Sequence, residues 1–368
     1  MTKNHSSAEQ RYADVSGQHG GYWRHDFIDH NYLYNLYFPP EDFFSRLSRQ
    51  IRQLVLNYPV GQQEVAALVG ELIGQPAERI VVGNGAAELI KILAGLDRKL
   101  IVPVPSFNEY ANVMPAGKVV EFALEAPSFQ LDVDKFAAAA IRSRAGLAVV
   151  VSPNNPTSLL VPKAELGRLA DKLAAHDCLL IVDESFIDFA ANRDRESLEP
   201  EIDRYPNLAI FKSMSKAYGI CGIRIGYMLT ANPDFAARLR QGLHIWNLNG
   251  FAEEFLRLAP RYRQPFSESC DKVRADRDHF YEQLRMIPGL IVYKPEANYI
   301  FCRLPEHAAS GPEVTEQLFV QDNIYIKHCR GKTMPEADRY LRIASRTRPE
   351  NMRLVAALGE LLGRESGS

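Results

Sequence analysis

The chain has 368 residues, 46% of them hydrophobic, and a formal net charge of −2 at neutral pH. That length can bury a large core and suits one large domain with a smaller one. No basic stretch suggests a nucleic-acid surface, and no apolar run approaches the roughly 20 residues that span a membrane. The opening Met1-Thr-Lys-Asn-His-Ser-Ser lacks the apolar core of a signal peptide. Five cysteines (Cys178, Cys221, Cys270, Cys302, Cys329) are odd in number and widely spaced, with no CxxC pair. They read as reduced thiols, with neither a disulfide frame nor a metal site. A cytoplasmic protein is expected.

In chain order, residues 1–18 are polar and read as mobile. His19-Gly20-Gly21 then opens a strap dense in aromatics that runs to Phe38-Pro39-Pro40. The glycines permit close approach of backbone to a ligand or a neighbouring chain; the strap either packs on the surface or faces substrate. Apolar residues at helical spacing predict helices over 41–57, stopped by Tyr58-Pro59, and over 62–73. Arg79-Ile-Val-Val-Gly-Asn-Gly-Ala-Ala-Glu-Leu-Ile90 reads as strand, glycine turn and helix start. Backbone N–H groups at Gly85, Ala86 and Ala87 then point at whatever lies beyond the turn, and a helix N-terminus favours an anion.

Strands are predicted at 100–104, 119–124, 147–151 and 178–182, with helices over 131–142 and 163–176. The first strand ends in Pro105-Ser-Phe-Asn-Glu-Tyr110, where Phe107 can lie on a planar ligand or pack in the core. Ser152-Pro-Asn-Asn-Pro-Thr157 is an extended loop that presents the Asn155 amide. Asp183 ends a buried strand, where a carboxylate is costly unless paired. A helix cap, a salt bridge or a protonated pyridine nitrogen would each serve.

The chemistry centres on Ser213-Met-Ser-Lys-Ala-Tyr-Gly-Ile-Cys-Gly-Ile-Arg-Ile-Gly-Tyr227, flanked by strands at 207–212 and 223–229. Lys216 falls on a loop leaving the sheet. Burial lowers a lysine's pKa and frees its amine to form a Schiff base. Ser213 and Arg224 can bind a phosphate beside it. A surface lysine on a turn is the competing reading. Beyond Trp246 a helical stretch through Arg285 precedes strands at 290–293, 299–304, 323–327 and 340–344, with helices at 313–320 and at the C-terminus. The alternation from 79 to 229 predicts an α/β unit with a largely parallel sheet, and the later pattern a compact α+β unit.

Together these motifs resemble the fold-type I, class I/II aminotransferase superfamily of pyridoxal 5'-phosphate (PLP) enzymes, over nearly the whole chain. The resemblance implies a large domain (41–250) with a mainly parallel seven-stranded sheet. A smaller C-terminal α+β domain (251–368) and an N-terminal strap (1–40) complete the expected organisation. It implies that Lys216 carries the cofactor, Asp183 pairs with the pyridine nitrogen, Asn155 binds the ring hydroxyl and Phe107 stacks on the ring. Gly85, Ala86, Ala87, Ser213 and Arg224 would hold the phosphate. Tyr58 resembles the tyrosine that reaches the neighbouring subunit's cofactor, which implies a homodimer with shared sites. Arg342, in Tyr-Leu-Arg-Ile, matches the arginine for the substrate carboxylate.

Two branches compete, histidinol-phosphate aminotransferase and threonine-phosphate decarboxylase. His19-Gly-Gly, Phe186 where aminotransferases carry a tyrosine, and Arg346 four residues beyond Arg342 are similar to the decarboxylase pattern. The family's asparagine-rich segment retains only Asn35, and Ser158 replaces its usual glycine, so a different substrate is expected. Other PLP reactions, such as replacement or C–C bond formation, share the fold. A regulator using the fold as a sensor would need a DNA-binding segment. Arg346, Asn35 and Gly21 are the further substrate-binding candidates. Arg346 is favoured for a distal anion over Arg24, His25, His328, Arg330 and Lys332.

Overall fold

The computed structural model describes residues 7–18 and 20–365; His19 of the glycine motif lies outside them, as do residues 1–6. In chain order the strands are β1 (Ile28–Asp29), β2 (Ile80–Asn84), β3 (Leu100–Val104), β4 (Val119–Ala123), β5 (Leu147–Val151), β6 (Leu179–Asp183), β7 (Leu208–Ser213), β8 (Ile225–Thr230), β9 (Ile291–Val292), β10 (Tyr299–Arg303), β11 (Ile324–Tyr325), β12 (Lys327–His328) and β13 (Tyr340–Ala344). Strands such as Leu147-Ala-Val-Val-Val151 are apolar at every position because helices cover both faces of their sheet, leaving no face for water.

Seven strands form that sheet in the order β2-β8-β7-β6-β5-β3-β4. Only β8 runs antiparallel to its neighbours. The parallel strands β3, β5, β6 and β7 therefore end at one edge, and loops carrying Phe107, Asn155, Asp183 and Ser213 leave the sheet together. Open α/β sheets bind ligands at such an edge. A four-stranded antiparallel sheet, β12-β13-β10-β9, forms the second unit with its own apolar core around Ile300, Leu318, Ile343 and Leu358.

Ala252, Phe255, Leu256, Leu258 and Tyr262 pack in the core of the large sheet, and Phe266 packs against it. Two elements differ from expectation. The strand expected at 323–327 divides at Ile326: β11 pairs with β1 of the strap, and β12 with β13. Residues 8–16, expected to be mobile, form α1 (Ala8–Ser16), capped by the Ser7 hydroxyl. Its Tyr12 ring meets Phe319 and Tyr325 at 5.6 and 6.3 Å, and Val15 is fully buried. Two anchoring side chains are too few to register as a helical period.

The helices that bear on the site follow from local chemistry. α2 (Glu41–Leu56) starts with Glu41 and Asp42 in its first turn, where carboxylates favour the helix dipole. α3 (Gln62–Ile73) stops at Gly74, which adopts a left-handed φ of 73°. α4 (Ala86–Leu93) begins directly after Gly85, with no side chain capping its N-terminus. Its first-turn N–H groups open into the space at the sheet edge. Among the described residues, no helix is long and apolar enough to cross a membrane.

Candidate active site

A cavity of about 470 Å³ lies at the carboxyl edge of the large sheet, closed by the small sheet and the strap. Lys216 enters it from a single helical turn, Met214–Ala217, set on the end of β7. Among the described residues its Nζ makes no hydrogen bond, and no carboxylate lies within ion-pair distance. Burial lowers its pKa; Cys221 opposes the shift, and the positive charges of Arg342 and Arg224 add to it. The side chain is therefore an accessible amine with a reduced hold on its proton.

Asp183 closes β6, 4% exposed, with Oδ1 accepting from Ser185 N at 2.9 Å and Oδ2 from the Tyr110 hydroxyl at 2.8 Å. Burial pushes its pKa up, while the Ser185 and Tyr110 hydrogen bonds favour the ionised form. A buried carboxylate with two fixed donors still has capacity for a cationic partner in the cavity.

At the other end of the floor, Ala86 and Ala87 of α4, Ser213 and Arg224 line one corner. Arg224 has a left-handed φ of 66°. Its Nη1 donates to Ser215 Oγ and to the Cys221 carbonyl, each at 3.2 Å. Gly85 (φ 71°) must lack a side chain, because a Cβ there would overlap the Arg224 guanidinium. Uncapped helix N–H groups, a hydroxyl and a guanidinium are together the donor set for a phosphate.

The wall opposite carries Arg342 on β13. Its guanidinium donates to Asn155 Oδ1 at 3.2 Å and to the Asn31 carbonyl at 2.7 Å. With Asn155 Oδ1 so engaged, the Nδ2 group is left to donate into the cavity. Six cations line this cavity (Lys216, Arg224, Lys327, Arg330, Lys332, Arg342) against two carboxylates, Asp183 and Glu109. Among the described residues none of the six is in an ion pair within 4 Å, whereas Arg and Lys side chains elsewhere form many. Charge held unpaired in a recess attracts anions.

Of the substrate-binding candidates Arg342, Arg346, Asn35 and Gly21, the last three lie off the cavity wall. Arg346 is not on the cavity wall: it pairs with Glu350 at 2.9 Å and donates to the Asp29 carbonyl. Four residues beyond Arg342, it has left β13 and turned into the start of the last helix. Asn35 is buried, donating to the Ala217 carbonyl and Ser269 Oγ, while its backbone N–H bonds the Lys216 carbonyl. It clamps the turn that bears Lys216. Gly21 supplies a left-handed residue (φ 78°) before the turn Tyr22–Arg24, and the neighbouring Tyr22 reaches the wall in its place.

Phe107 and Phe186 do line the cavity. Tyr58 is 78% exposed, stacked on Trp246 at 4.2 Å, and does not line its own cavity. Ser158 adopts φ 61°, a glycine-like conformation, and its hydroxyl accepts from Ala297 N at 2.9 Å. That bond joins the two units and has no part in the cavity wall. Tyr110 went unassigned in the sequence, although its spacing of three from Phe107 places it one helical turn along, under the same loop. Asn31, Tyr22 and Tyr32 also line the cavity; nothing local in the aromatic strap distinguished them from packing residues.

Residues 40–358 match the family model "Aminotransferase class I and II". The chain belongs to this family. It is 31% identical, over 84% of its length and 81% of the relative's, to L-serine phosphate decarboxylase of Sulfurospirillum multivorans. A solved structure of a decarboxylase from Sulfurospirillum multivorans superimposes with a TM-score of 0.85 at 28% identity, covering 97% of this chain and 99% of that one. CMP-5'-(3-aminopropyl)phosphonate synthase of Streptomyces rubellomurinus is 45% identical over 95% of the chain, which spans only 55% of that protein.

Class I and II aminotransferases depend on PLP, and the cavity fits it. Lys216 would offer the unpaired amine to the aldehyde, Asp183 the carboxylate to the ring nitrogen, and Asn155 a donor to the ring hydroxyl. The corner at α4, Ser213 and Arg224 would receive the phosphate. Phe186, where this family's aminotransferases carry a tyrosine, packs edge-on against Tyr299 at 5.1 Å and has no hydroxyl to donate.

Proposed function

We propose that the protein is a PLP-dependent α-decarboxylase of an amino acid carrying a distal phosphate or phosphonate. One observation carries the distal anion: the cavity's unpaired positive charge. The cofactor phosphate answers Arg224, and the substrate carboxylate answers Arg342. Lys327, Arg330 and Lys332 then remain against Glu109 alone, a surplus suited to a dianion.

The relatives favour loss of CO₂ over amino transfer. One is a phosphoserine decarboxylase by name. Another is named for making a CMP-linked 3-aminopropyl phosphonate, an amine with a phosphonate and no carboxylate. Decarboxylation of a phosphonate-bearing α-amino acid leaves such an amine. Amino transfer by a histidinol-phosphate type of enzyme is the alternative on the same parts.

When bound, PLP supplies an electron sink for the pair released at Cα. The protein does the rest. Arg342, fixed by Asn155 and Asn31, orients the substrate through its carboxylate. Asp183, whose ionised form the Ser185 and Tyr110 hydrogen bonds favour against burial, would keep the ring nitrogen protonated. Once the Cα–carboxylate bond has broken and CO₂ has departed, Lys216 would return a proton to Cα, and its amine would then take back the cofactor aldehyde as the product amine leaves. Exposed Tyr58, stacked on Trp246, supports a homodimer in which it reaches the partner's site; a fully active monomer by light scattering would oppose this.

The test is to incubate purified holoenzyme with a panel of phosphorylated, phosphono and plain amino acids, and to identify products. CO₂ with an equal amount of amine from anion-bearing members is expected. A keto acid as the main product would establish amino transfer instead.

A further inference from the structure

The segment after β12 folds over the loop that follows β3. Lys332 Nζ donates to the Ser106 carbonyl at 2.6 Å and to Asn108 Oδ1 at 2.9 Å. Asn108 Nδ2 in turn donates to the Gly331 carbonyl at 3.3 Å. The ammonium thus straddles the two units beside Phe107, fixed by oxygens on either side of that residue. Both acceptors are neutral; among the described residues no carboxylate lies within ion-pair distance, and one of the three N–H donors of a lysine remains unspent.

Lys327 and Arg330 line the same end of the cavity but are exposed. Water screens their charges, whereas that of Lys332 is partly withdrawn from solvent and correspondingly more discriminating. Burial, reinforced by Arg342, pushes the Lys332 pKa down to about 8. An arriving anion would reverse that shift by giving the ammonium the partner it lacks. Arg346 cannot compete for the role, since Glu350 already neutralises it.

We propose that Lys332 is the specificity-determining residue for the substrate's distal anion, with Lys327 and Arg330 supplying the remaining counter-charge at the rim. This rests on the reading that the substrate carries a distal phosphate or phosphonate. Its position has a consequence for selection. An anion bound at Lys332 bears on the Ser106–Asn108 loop, so recognition at the far end of the substrate is tied to the residue facing the ring site.

The test compares two ligands of equal length on the holoenzyme, L-2-amino-4-phosphonobutyrate and L-norvaline, by titrating the cofactor absorbance. In the natural protein the phosphonate binds about tenfold or more tightly than norvaline, as a charge-assisted hydrogen bond in a recess provides. In Lys332→Met that preference falls to near unity, and Lys332→Arg restores part of it. An unchanged preference in Lys332→Met, including equal weakening of both ligands, overturns the proposal and makes Lys332 a prop for the Phe107 loop. A natural protein that fails to prefer the phosphonate refutes the distal-anion reading itself.

Discussion

Lys212 and Lys216 lie four residues apart at the end of one strand, and their surroundings are opposite. Lys212 is buried with Asp188 at 3.2 Å and Glu199 at 4.0 Å, near Glu184. The Glu199 carboxylate accepts from Tyr227, and Glu184 from Ser197 and Leu198 N. Burial and the neighbouring Glu199 raise Glu184 to about 7. Among the described residues Lys216 has neither an acid within ion-pair distance nor a hydrogen-bond acceptor. One lysine is a closed structural element and the other an unanswered amine. Residue type is shared, and Lys212 is buried where Lys216 is half-buried at the cavity, so what separates them is whether the fold closes around the amine and supplies its counter-charge.

The comparison breaks most visibly at Lys216. Lys216→Ala should cost on the order of 10³-fold or more in turnover, because a covalent nucleophile and a proton carrier are lost together. Borohydride reduction followed by peptide mass spectrometry should find no cofactor-bearing lysine; labelling at another lysine with activity retained would refute the assignment.

Lys212→Met should act on stability. Removing one partner of a buried ion pair leaves Asp188 and Glu199 uncompensated, at a cost of about 3–5 kcal/mol. Urea unfolding should show the loss, while the chromophore bound at Lys216 persists in the protein that remains folded.

Asp183→Asn sharpens the contrast within the cavity. Turnover should fall by much more than tenfold, beyond about 1.4 kcal/mol of barrier, because an amide cannot hold the ring nitrogen protonated. Retention of the cofactor on dialysis should change little, since the phosphate corner is intact.

The smallest effect is expected for Tyr110→Phe. It removes one donor to a charged group, about 1.5–3 kcal/mol, and leaves the Ser185 bond. Burial already raises the Asp183 pKa, and losing a donor to the ionised form raises it further. Activity needs the carboxylate ionised, so the acid limb of the pH–rate profile should move to higher pH in Tyr110→Phe. A limb that stays in place would deny Tyr110 this role.

The floor of the cavity was legible because each of its residues lies within a few positions of a strand end. Phe107, Asn155, Asp183, Ser213 and Lys216 all follow buried apolar runs, and the parallel sheet aligns those ends. The far wall was not legible in the same way. Arg342 and Arg346 look equivalent in sequence, yet the chain leaves β13 between them, and Glu350 on the following helix captures the second. Asn35 is conspicuous beside the aromatics of the strap, but only the fold shows that it grips the carbonyl of Ala217. Lys332 depends on the meeting of two loops more than 220 residues apart, a contact that no local period encodes. α1 went unread for a related reason: its anchors, Tyr12 and Val15, need Phe319 and Tyr325 to be packing residues at all.

The central claim is that this cavity, with its unanswered positive charge, removes the carboxylate from an anion-bearing amino acid. Carboxyl-labelled L-2-amino-4-phosphonobutyrate, turned over by the holoenzyme, tests it most directly. The account predicts that label leaves as CO₂ in a one-to-one ratio with 3-aminopropylphosphonate, with no keto acid. Label retained in a phosphono keto acid, or turnover of plain amino acids in preference to the phosphonate, would contradict it.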